Sequence, residues 1–164
     1  MAIFVKKLMK KIVLLLSVTL FCTIAFCQPA MPENYIKLDA DIKSSSFEVV
    51  WKTAIFNQAL VMFDLKTGKP LMMISLPANG SHSPVAGTYP IMEAKKRNIK
   101  KGTQIAKVEY EPGFNSIDSA GTLTISATAD GLFTFQFADV AILNSKTNES
   151  HKLSFKTVLF IEEK

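Results

Sequence analysis

The alternation of apolar and polar residues between residues 121 and 139 constrains the fold of this chain more than any other feature. Apolar side chains alternate with Ser and Thr up to residue 127, and after a turn three phenylalanines alternate with Thr and Gln. A period of two is typical of strands with one buried face. A three-residue turn with Gly131 in the left-handed conformation pairs Ile125 with Phe135, whereas a two-residue turn mixes the faces. The segment therefore predicts a β-hairpin whose phenylalanines lie in the core.

Strand patterns recur along most of the chain. Residues 35–43 alternate strictly and predict one strand, and residues 47–56 are rich in β-branched and aromatic side chains. The segment 59–76 predicts a second hairpin, in which a two-residue loop at Thr67-Gly68 pairs Phe63 with Met72. Further strands are expected at 85–91, 103–111 and 152–161.

These strands predict a single all-β domain over residues 35–164. Short strands with turn signals between them are typical of an antiparallel β-sandwich, here jelly-roll-like and of about nine strands. Residues 28–34 are interpreted as a linker that precedes it. The segment between Pro90 and Gly102 has an acidic residue near its start and basic residues near its end. The proline, the glycine and this order of charges are start and stop signals of a helix. We therefore expect one short helix near residues 92–101.

Residues 1–27 have the parts of a secretory signal peptide. Four lysines and no acid precede an uncharged run from Ile12 to Ala25, which is shorter than the about 20 apolar residues of a membrane-spanning helix. Ala25 and Cys27 supply the small side chains of a cleavage site, so we expect cleavage between Cys27 and Gln28. A lipidated Cys27 is the alternative.

Removal of the leader changes the charge and the cysteine content. The net charge falls from +5 to +1, so the basic precursor gives no support for a nucleic-acid partner. Both cysteines are lost, which leaves no disulfide and no thiolate ligand for a metal. We expect an exported bacterial protein that is periplasmic, outer-membrane-associated or extracellular, with no transmembrane segment in its mature chain.

Four short motifs support a resemblance to a known family. They are Leu76-Pro77, Gly87-Thr88-Tyr89, Gly121-Thr122-Leu123-Thr124-Ile125 and Gly131-Leu132-Phe133-Thr134-Phe135. In the order of these motifs, residues 35–161 resemble a family of small secreted or lipid-anchored Bacteroidetes-type β-sandwich proteins of unknown function. The resemblance implies a β-sandwich and an envelope location, and it supplies no catalytic residues. The chain departs from the family pattern at Asp39-Ala40-Asp41, which replaces an Asp-Gly before a Trp.

Few residues are suited to chemistry. His82, which follows Ser81, and His151 stand among polar neighbours, so we predict no zinc site and no positioned nucleophile and base. Two acidic pairs are each expected on one face of a predicted strand and are interpreted as solvent-facing, namely Asp39 with Asp41 and Glu109 with Glu111. Aromatic side chains expected in the core rather than on a ligand platform are Trp51, Tyr35, Tyr89 and Tyr110.

The strongest local charge feature is a basic run made of Lys95, Lys96, Arg97, Lys100 and Lys101. Such a run could contact an anionic envelope surface or glycan, while a solvated face is the simpler interpretation. We predict no catalytic residue, cofactor or metal site. The expected function is a non-catalytic binding or surface-structural module, and the alternatives are a lipocalin-like carrier of a small ligand and a small envelope hydrolase.

Overall fold

The computed structural model describes residues 33–55, 57–92, 104–117 and 121–161. Within these ranges every regular element is a strand, and no helix there is long and apolar enough to cross a membrane. The eleven strands are β1 Tyr35–Leu38, β2 Asp41–Ser44, β3 Phe47–Thr53, β4 Asn57–Asp64, β5 Pro70–Pro77, β6 Gly87–Ile91, β7 Lys107–Tyr110, β8 Phe114–Ser116, β9 Gly121–Ala127, β10 Leu132–Asn144 and β11 Ser150–Phe160.

The strands form one antiparallel sheet that is nearly closed into a barrel. Its order is β2-β1-β11-β10-β8-β7-β5-β4-β3, and β9 joins β10 to β6. The all-β prediction is confirmed, with eleven strands in place of about nine. The helix predicted near 92–101 falls outside the described residues from 93 onward, as does the leader 1–27, so both stay predictions.

Strand β10 connects the two halves of the sheet because it changes neighbour along its length. One side pairs with β11, while on the other side residues 133–136 pair with β9 and residues 142–144 with β8. The change coincides with a bulge after Phe137, where Asp139 has a φ of 51° and donates its N–H to Ser154 Oγ at 2.9 Å. A bulge bends a strand and increases its twist. The bulge therefore allows β10 to pair with β9 along its first part and with β8 along its last part.

The core lies inside the curled sheet and contains rings from strands that are not hydrogen-bonded neighbours. The ring of Trp51 in β3 is centred 5.8 Å from that of Phe135 in β10, and Phe47 in β3 is 6.3 Å from Phe155 in β11. Phe137 adds a ring 5.5 Å from Phe155. Both Phe135 and Phe155 are fully buried. The two sides of the sheet therefore meet through packed aromatic side chains.

The register predicted for the β9–β10 hairpin is confirmed. Ile125 lies opposite Phe135. The turn comprises residues 129–131 and is closed by the Thr128 N–H, which donates to the main-chain oxygen of Leu132 at 2.9 Å. Gly131 has a φ of 80°, which this turn requires and which glycine adopts without strain. The phenylalanines accordingly face the core.

The hairpin predicted over 59–76 exists as β4–β5, but its predicted register was wrong. Met62, rather than Phe63, lies opposite Met72 and is fully buried. The loop comprises residues 65–68 instead of two residues, and the register shifts next to it. A slip of one residue exchanges the faces of a strand, so Phe63 lies on the outer side.

The β4–β5 and β10–β11 turns share one design. Asp64 Oδ1 accepts the N–H groups of residues 66 and 67, and Asn144 Oδ1 accepts those of residues 146 and 147. The fourth loop residue is Gly68 in one turn and Asn148 in the other, with φ values of 66° and 60°. Each donates its N–H at 2.8 Å to the main-chain oxygen of the residue that precedes its loop, Asp64 or Asn144. The side-chain oxygen thus determines a four-residue loop in both places.

The single strand predicted over residues 35–43 was also wrong. The chain reverses at Asp39-Ala40, between β1 and β2. Asp39 has a φ of 55° and donates its N–H to the main-chain oxygen of Lys152 at 2.7 Å. This partner lies in β11, so the alternation within 35–43 carries no sign of the turn. Asp39 and Asp41 therefore do not share one face of a strand.

Candidate functional site

The residues that the sequence singled out for contact and processing lie outside the described part of the chain. They are Lys95, Lys96, Arg97, Lys100 and Lys101 of the basic run, and Cys27 and Gln28 of the cleavage site. Their roles stay predictions. The side chains that the structure gathers into clefts come from other segments.

The candidate site is a cleft at the end of the sheet where β3 leads into β4. This β3–β4 cleft encloses about 390 Å³ and is lined by Thr53, Ala54, Ile55, Gln58, Ala78, Gly80, Ser81 and His82. It opens to solvent, and Ile55 is 85% exposed. Small-ligand sites commonly enclose about 300–1,000 Å³, so the cleft has the size of a small binding site.

Gln58 fastens the loop after β5 to the sheet. It is only 3% exposed, and its Nε2 donates to Asn79 Oδ1 at 2.9 Å and to the main-chain oxygen of Ser81 at 2.6 Å. A main-chain oxygen can only accept, which identifies this end of the amide as the nitrogen. Among the described residues no donor bonds to Gln58 Oε1. The lining of the cleft therefore includes a buried acceptor that lacks a described partner.

The loop is braced by hydrogen bonds of its own. Asn79 Oδ1 also accepts the N–H of Ser81 at 2.8 Å, and Asn79 Nδ2 donates to the main-chain oxygen of Ser83 at 3.3 Å. Ser83 donates its N–H to Ser81 Oγ at 3.1 Å. The Ser81 hydroxyl serves this turn and does not bond to the ring of His82. The two neighbours are not arranged as a nucleophile and a base.

His82 is held beside β3 with its ring exposed. Its main-chain oxygen accepts the Trp51 Nε1–H at 2.8 Å, and its Nδ1 lies 3.5 Å from Thr53 Oγ1. The first of these bonds ties the loop to a core tryptophan. The cleft is accordingly lined by an exposed imidazole, a hydroxyl and the buried side chain of Gln58, beside a loop that is held by hydrogen bonds.

A second group of polar side chains lies next to the β10–β11 turn. Asp39 Oδ2 is 2.9 Å from His151 Nδ1, and Asp39 Oδ1 accepts the Lys152 N–H at 2.9 Å. The Lys152 N–H, and then His151, hold the pKa of Asp39 below its usual value. The His151 ring also packs 5.6 Å from the ring of Phe114. A carboxylate on Nδ1 orients an imidazole as in a catalytic triad, but no hydroxyl of the described residues bonds to this ring.

The outer face of β4, β5 and β7 carries a more apolar groove. It encloses about 250 Å³ and is lined by Val61, Pro70, Leu71, Met72, Met73, Glu109, Glu111 and Pro112. Glu109 forms an ion pair with Lys107. Burial, and then Glu111, raises the pKa of Tyr110. The structure thus brings the predicted Glu109–Glu111 pair to one surface groove.

The aromatic side chains belong to the core, as predicted for most of them. Tyr89 and Tyr110 are buried, and the Tyr89 hydroxyl donates to the main-chain oxygen of Val85 at 2.7 Å. Trp51 is half-buried and packs against the core, while Tyr35 is half-buried in β1. These rings lie on four different strands. They do not form a common platform.

No protein-family model matches the chain, and no curated protein or solved structure matches it. The resemblance to a Bacteroidetes-type family stays a prediction. In the ranges that the structure covers, no three His, Cys, Asp or Glu side chains gather to hold a metal ion. The function of the protein is therefore inferred from the geometry of the clefts.

Sequence reasoning missed Gln58. Its amide partners are 21 and 23 residues away in a loop, and its strand shows no pattern that marks a buried polar position. The one signal is an uncharged amide placed directly before the apolar run 59–63. A polar side chain at the start of a buried strand must find a partner, which is a reason to expect a braced loop there.

Proposed function

We propose that this protein is an exported component of a bacterial cell envelope whose β-domain is a non-catalytic binding module. The observation that carries the proposal is the β3–β4 cleft with the buried carbonyl oxygen of Gln58. The leader-like residues 1–27 support export. Thr53 Oγ1 lies 3.5 Å from His82 Nδ1, but the Ser81 hydroxyl is taken up by its own turn and no carboxylate of the described residues bonds to the His82 ring, so we infer binding rather than hydrolysis.

A neutral ligand rich in hydroxyl groups, such as a glycan, suits this cleft. Gln58 Oε1 needs an O–H or N–H donor, and leaving a buried acceptor unbonded costs about 1–3 kcal/mol. Thr53 and His82 can each donate and accept. The described lining contains no Lys, Arg, Asp or Glu. The exposed side chain of Ile55 offers an apolar surface for the less polar face of a sugar ring.

The test is binding of the purified protein to an array of neutral bacterial oligosaccharides. His82→Ala and Thr53→Val should each weaken binding by about two- to tenfold, because one hydrogen bond is worth about 0.5–1.5 kcal/mol. His151→Ala and Thr134→Val are the matched controls, since both residues lie outside the cleft. Binding that the cleft variants leave unchanged, or no binding to any neutral glycan, would contradict the proposal.

The packing of the core favours a binding module over a lipocalin-like carrier. A carrier needs a ligand cavity inside its barrel, whereas Trp51, Phe47 and their ring partners occupy the space between the two sides of this sheet. The same contacts support the interpretation of the sheet as two packed layers of a jelly-roll-like β-sandwich. Saturable uptake of an apolar dye by the folded protein, displaced by fatty acids, would favour the carrier instead.

A small envelope hydrolase is the second candidate, and the Asp39–His151 pair is the observation that favours it. The pair orients one imidazole, which is one part of a hydrolytic site. A screen with nitrophenyl esters and glycosides tests it. Turnover that His151→Ala abolishes and His82→Ala retains would replace the binding proposal with a hydrolase.

Export and surface contact have tests of their own. Cleavage between Cys27 and Gln28 gives a mature chain that begins at Gln28, which intact-mass measurement detects, and a diacylglycerol adduct at Cys27 would identify a lipoprotein. Replacement of the five bases within 95–101 by Gln should abolish salt-sensitive co-sedimentation with anionic vesicles. No sedimentation of the unaltered protein at low salt would contradict the surface contact.

A further inference from the structure

Strand β3 ends the sheet as a long and regular edge. Its pairing with β4 runs without a bulge from Phe47 to Thr53, and it contains no proline. The other end of the nine-strand order is β2, which has only four residues, with Asp41 and Lys43 exposed. Short and charged edges resist pairing, whereas a long regular edge is a template for another strand. Of these two edges, β3 is the one suited to an added strand.

The backbone of β3 has hydrogen-bonding groups that point away from β4. Ala54 donates its N–H to the main-chain oxygen of Asn57 at 2.8 Å, so the bonds to β4 fall on the even-numbered residues of the strand. The odd-numbered residues present their N–H and C=O groups to the free edge. No described residue bonds to these groups, which belong to Phe47, Val49, Trp51 and Thr53.

The apolar flank of this edge is incompletely covered. Phe47, Val49 and Trp51 point toward the core but remain half-buried. The inward side chains of the adjacent strand, Leu60 and Met62, are fully buried. The inward side chains of β3 therefore keep apolar surface that a further strand beside β3 would cover.

We propose that β3 pairs with β3 of a second copy of this chain, antiparallel and about a twofold axis at Val50. In this register Phe47 lies opposite Thr53 of the second copy, and Val49 lies opposite Trp51. Every outward N–H and C=O of the edge then meets a partner. The contact is self-complementary, as a twofold interface requires.

Charge complementarity favours this register over its neighbours. Glu48 and Lys52 lie on the outer face of β3, and in this pairing each stands opposite the other residue of the second copy. These are non-hydrogen-bonded pairs, in which facing side chains come closest. A slip of two residues in either direction places Glu48 or Lys52 opposite Val50, and a slip of four places Glu48 opposite Glu48 or Lys52 opposite Lys52. Neither slip keeps the opposite-charge pairs. Val50 meets Val50 and extends the outer apolar row of Val61 and Met73 across the interface.

Sedimentation equilibrium of the purified protein over a concentration series tests the proposal, and we expect a reversible monomer–dimer equilibrium. Lys52→Glu and Glu48→Lys each create two like-charge pairs per dimer and should raise the dimer Kd by about tenfold or more. The double exchange Glu48→Lys with Lys52→Glu restores both pairs and should restore the dimer. Lys66→Glu, an exposed lysine outside β3, is the control. A monomer at every soluble concentration, or a dimer indifferent to both reversals, would overturn the proposal.

Cysteine crosslinking tests the register itself, in a chain with Cys22 and Cys27 replaced by Ser. Val50→Cys should form a disulfide-linked dimer on oxidation, because facing Cα atoms in such a pair are about 4.5 Å apart, within the range of disulfides. Glu48→Cys alone should not crosslink, while a mixture of Glu48→Cys and Lys52→Cys chains should. Crosslinking of Glu48→Cys with itself in preference to Val50→Cys would refute the twofold axis at Val50.

Discussion

Truncation of Phe135 tests the core and the β9–β10 register together. The ring of Phe135 is fully buried, stands 5.8 Å from that of Trp51 and belongs to a residue paired with Ile125. Its neighbours come from separate strands whose positions are set by the sheet, so they cannot close the space that Phe135→Ala leaves. Buried phenylalanine truncations of this kind cost about 3–5 kcal/mol. For a domain of this size the Tm should fall by roughly 10–15 °C.

The chain carries its own probe for this experiment, because Trp51 is its one tryptophan. Urea unfolding followed by tryptophan fluorescence should show a midpoint lowered by at least about 1 M, given a slope of about 1–3 kcal/mol/M. Thr134→Ala is the matched control, since Thr134 lies on the opposite face and should cost less than about 1 kcal/mol. Equal midpoints for the two variants would refute the inward assignment of Phe135.

Four further variants examine local geometry. Gly121→Ala should destabilise the protein by about 1–3 kcal/mol, because its Cβ would lie 2.9 Å from Val140 Cγ2; an unchanged Tm would show that β9 can move away. The pKa of Asp39 is lowered in the fold, so its contribution is complete above the unfolded value of 3.8 and is lost as the pH falls through the folded pKa. Asp39→Asn should therefore flatten the acid limb of a plot of urea midpoint against pH, and an unaltered limb would contradict this. Asp64→Ala and Asn144→Ala should lower the Tm by similar amounts in a thermal melt, since each removes the side-chain oxygen that accepts the loop N–H groups in its own turn. A large difference would show that the two turns are not equivalent.

The two hairpins show when a hydrophobic pattern determines register. In β9–β10, one face of each strand carries Ser, Thr or Gln and the other carries apolar residues, so one pairing keeps the core together. In β4 both frames are apolar, since Leu60 and Met62 alternate with Val61 and Phe63. A pattern without a polar face cannot select between them. The choice depends on the turn, where a single carboxylate oxygen sets the loop length.

The candidate site depends on contacts that no local pattern contains. Gln58 becomes a clamp because a loop more than 20 residues away returns to it, and Asp39 becomes a turn residue because β11 lies beside it. Sequence alternation reports which face of a strand is buried, but it does not report which distant segment covers an end of the sheet. The all-β class could therefore be predicted, whereas the cleft could not.

The pairing of β1 with β11 has a consequence for the order of assembly. Tyr35 lies opposite Lys156, so residues more than 100 positions apart must meet before the first described strand has a neighbour on that side. Contacts of such long separation slow folding, because the loop between them must close first. Ile36, which is fully buried in the finished domain, stays uncovered by β11 until that strand has been synthesised. For a chain exported as proposed, this delay keeps the polypeptide unfolded while it is translocated across the membrane. The sheet then closes only after the C-terminal strand has been translocated.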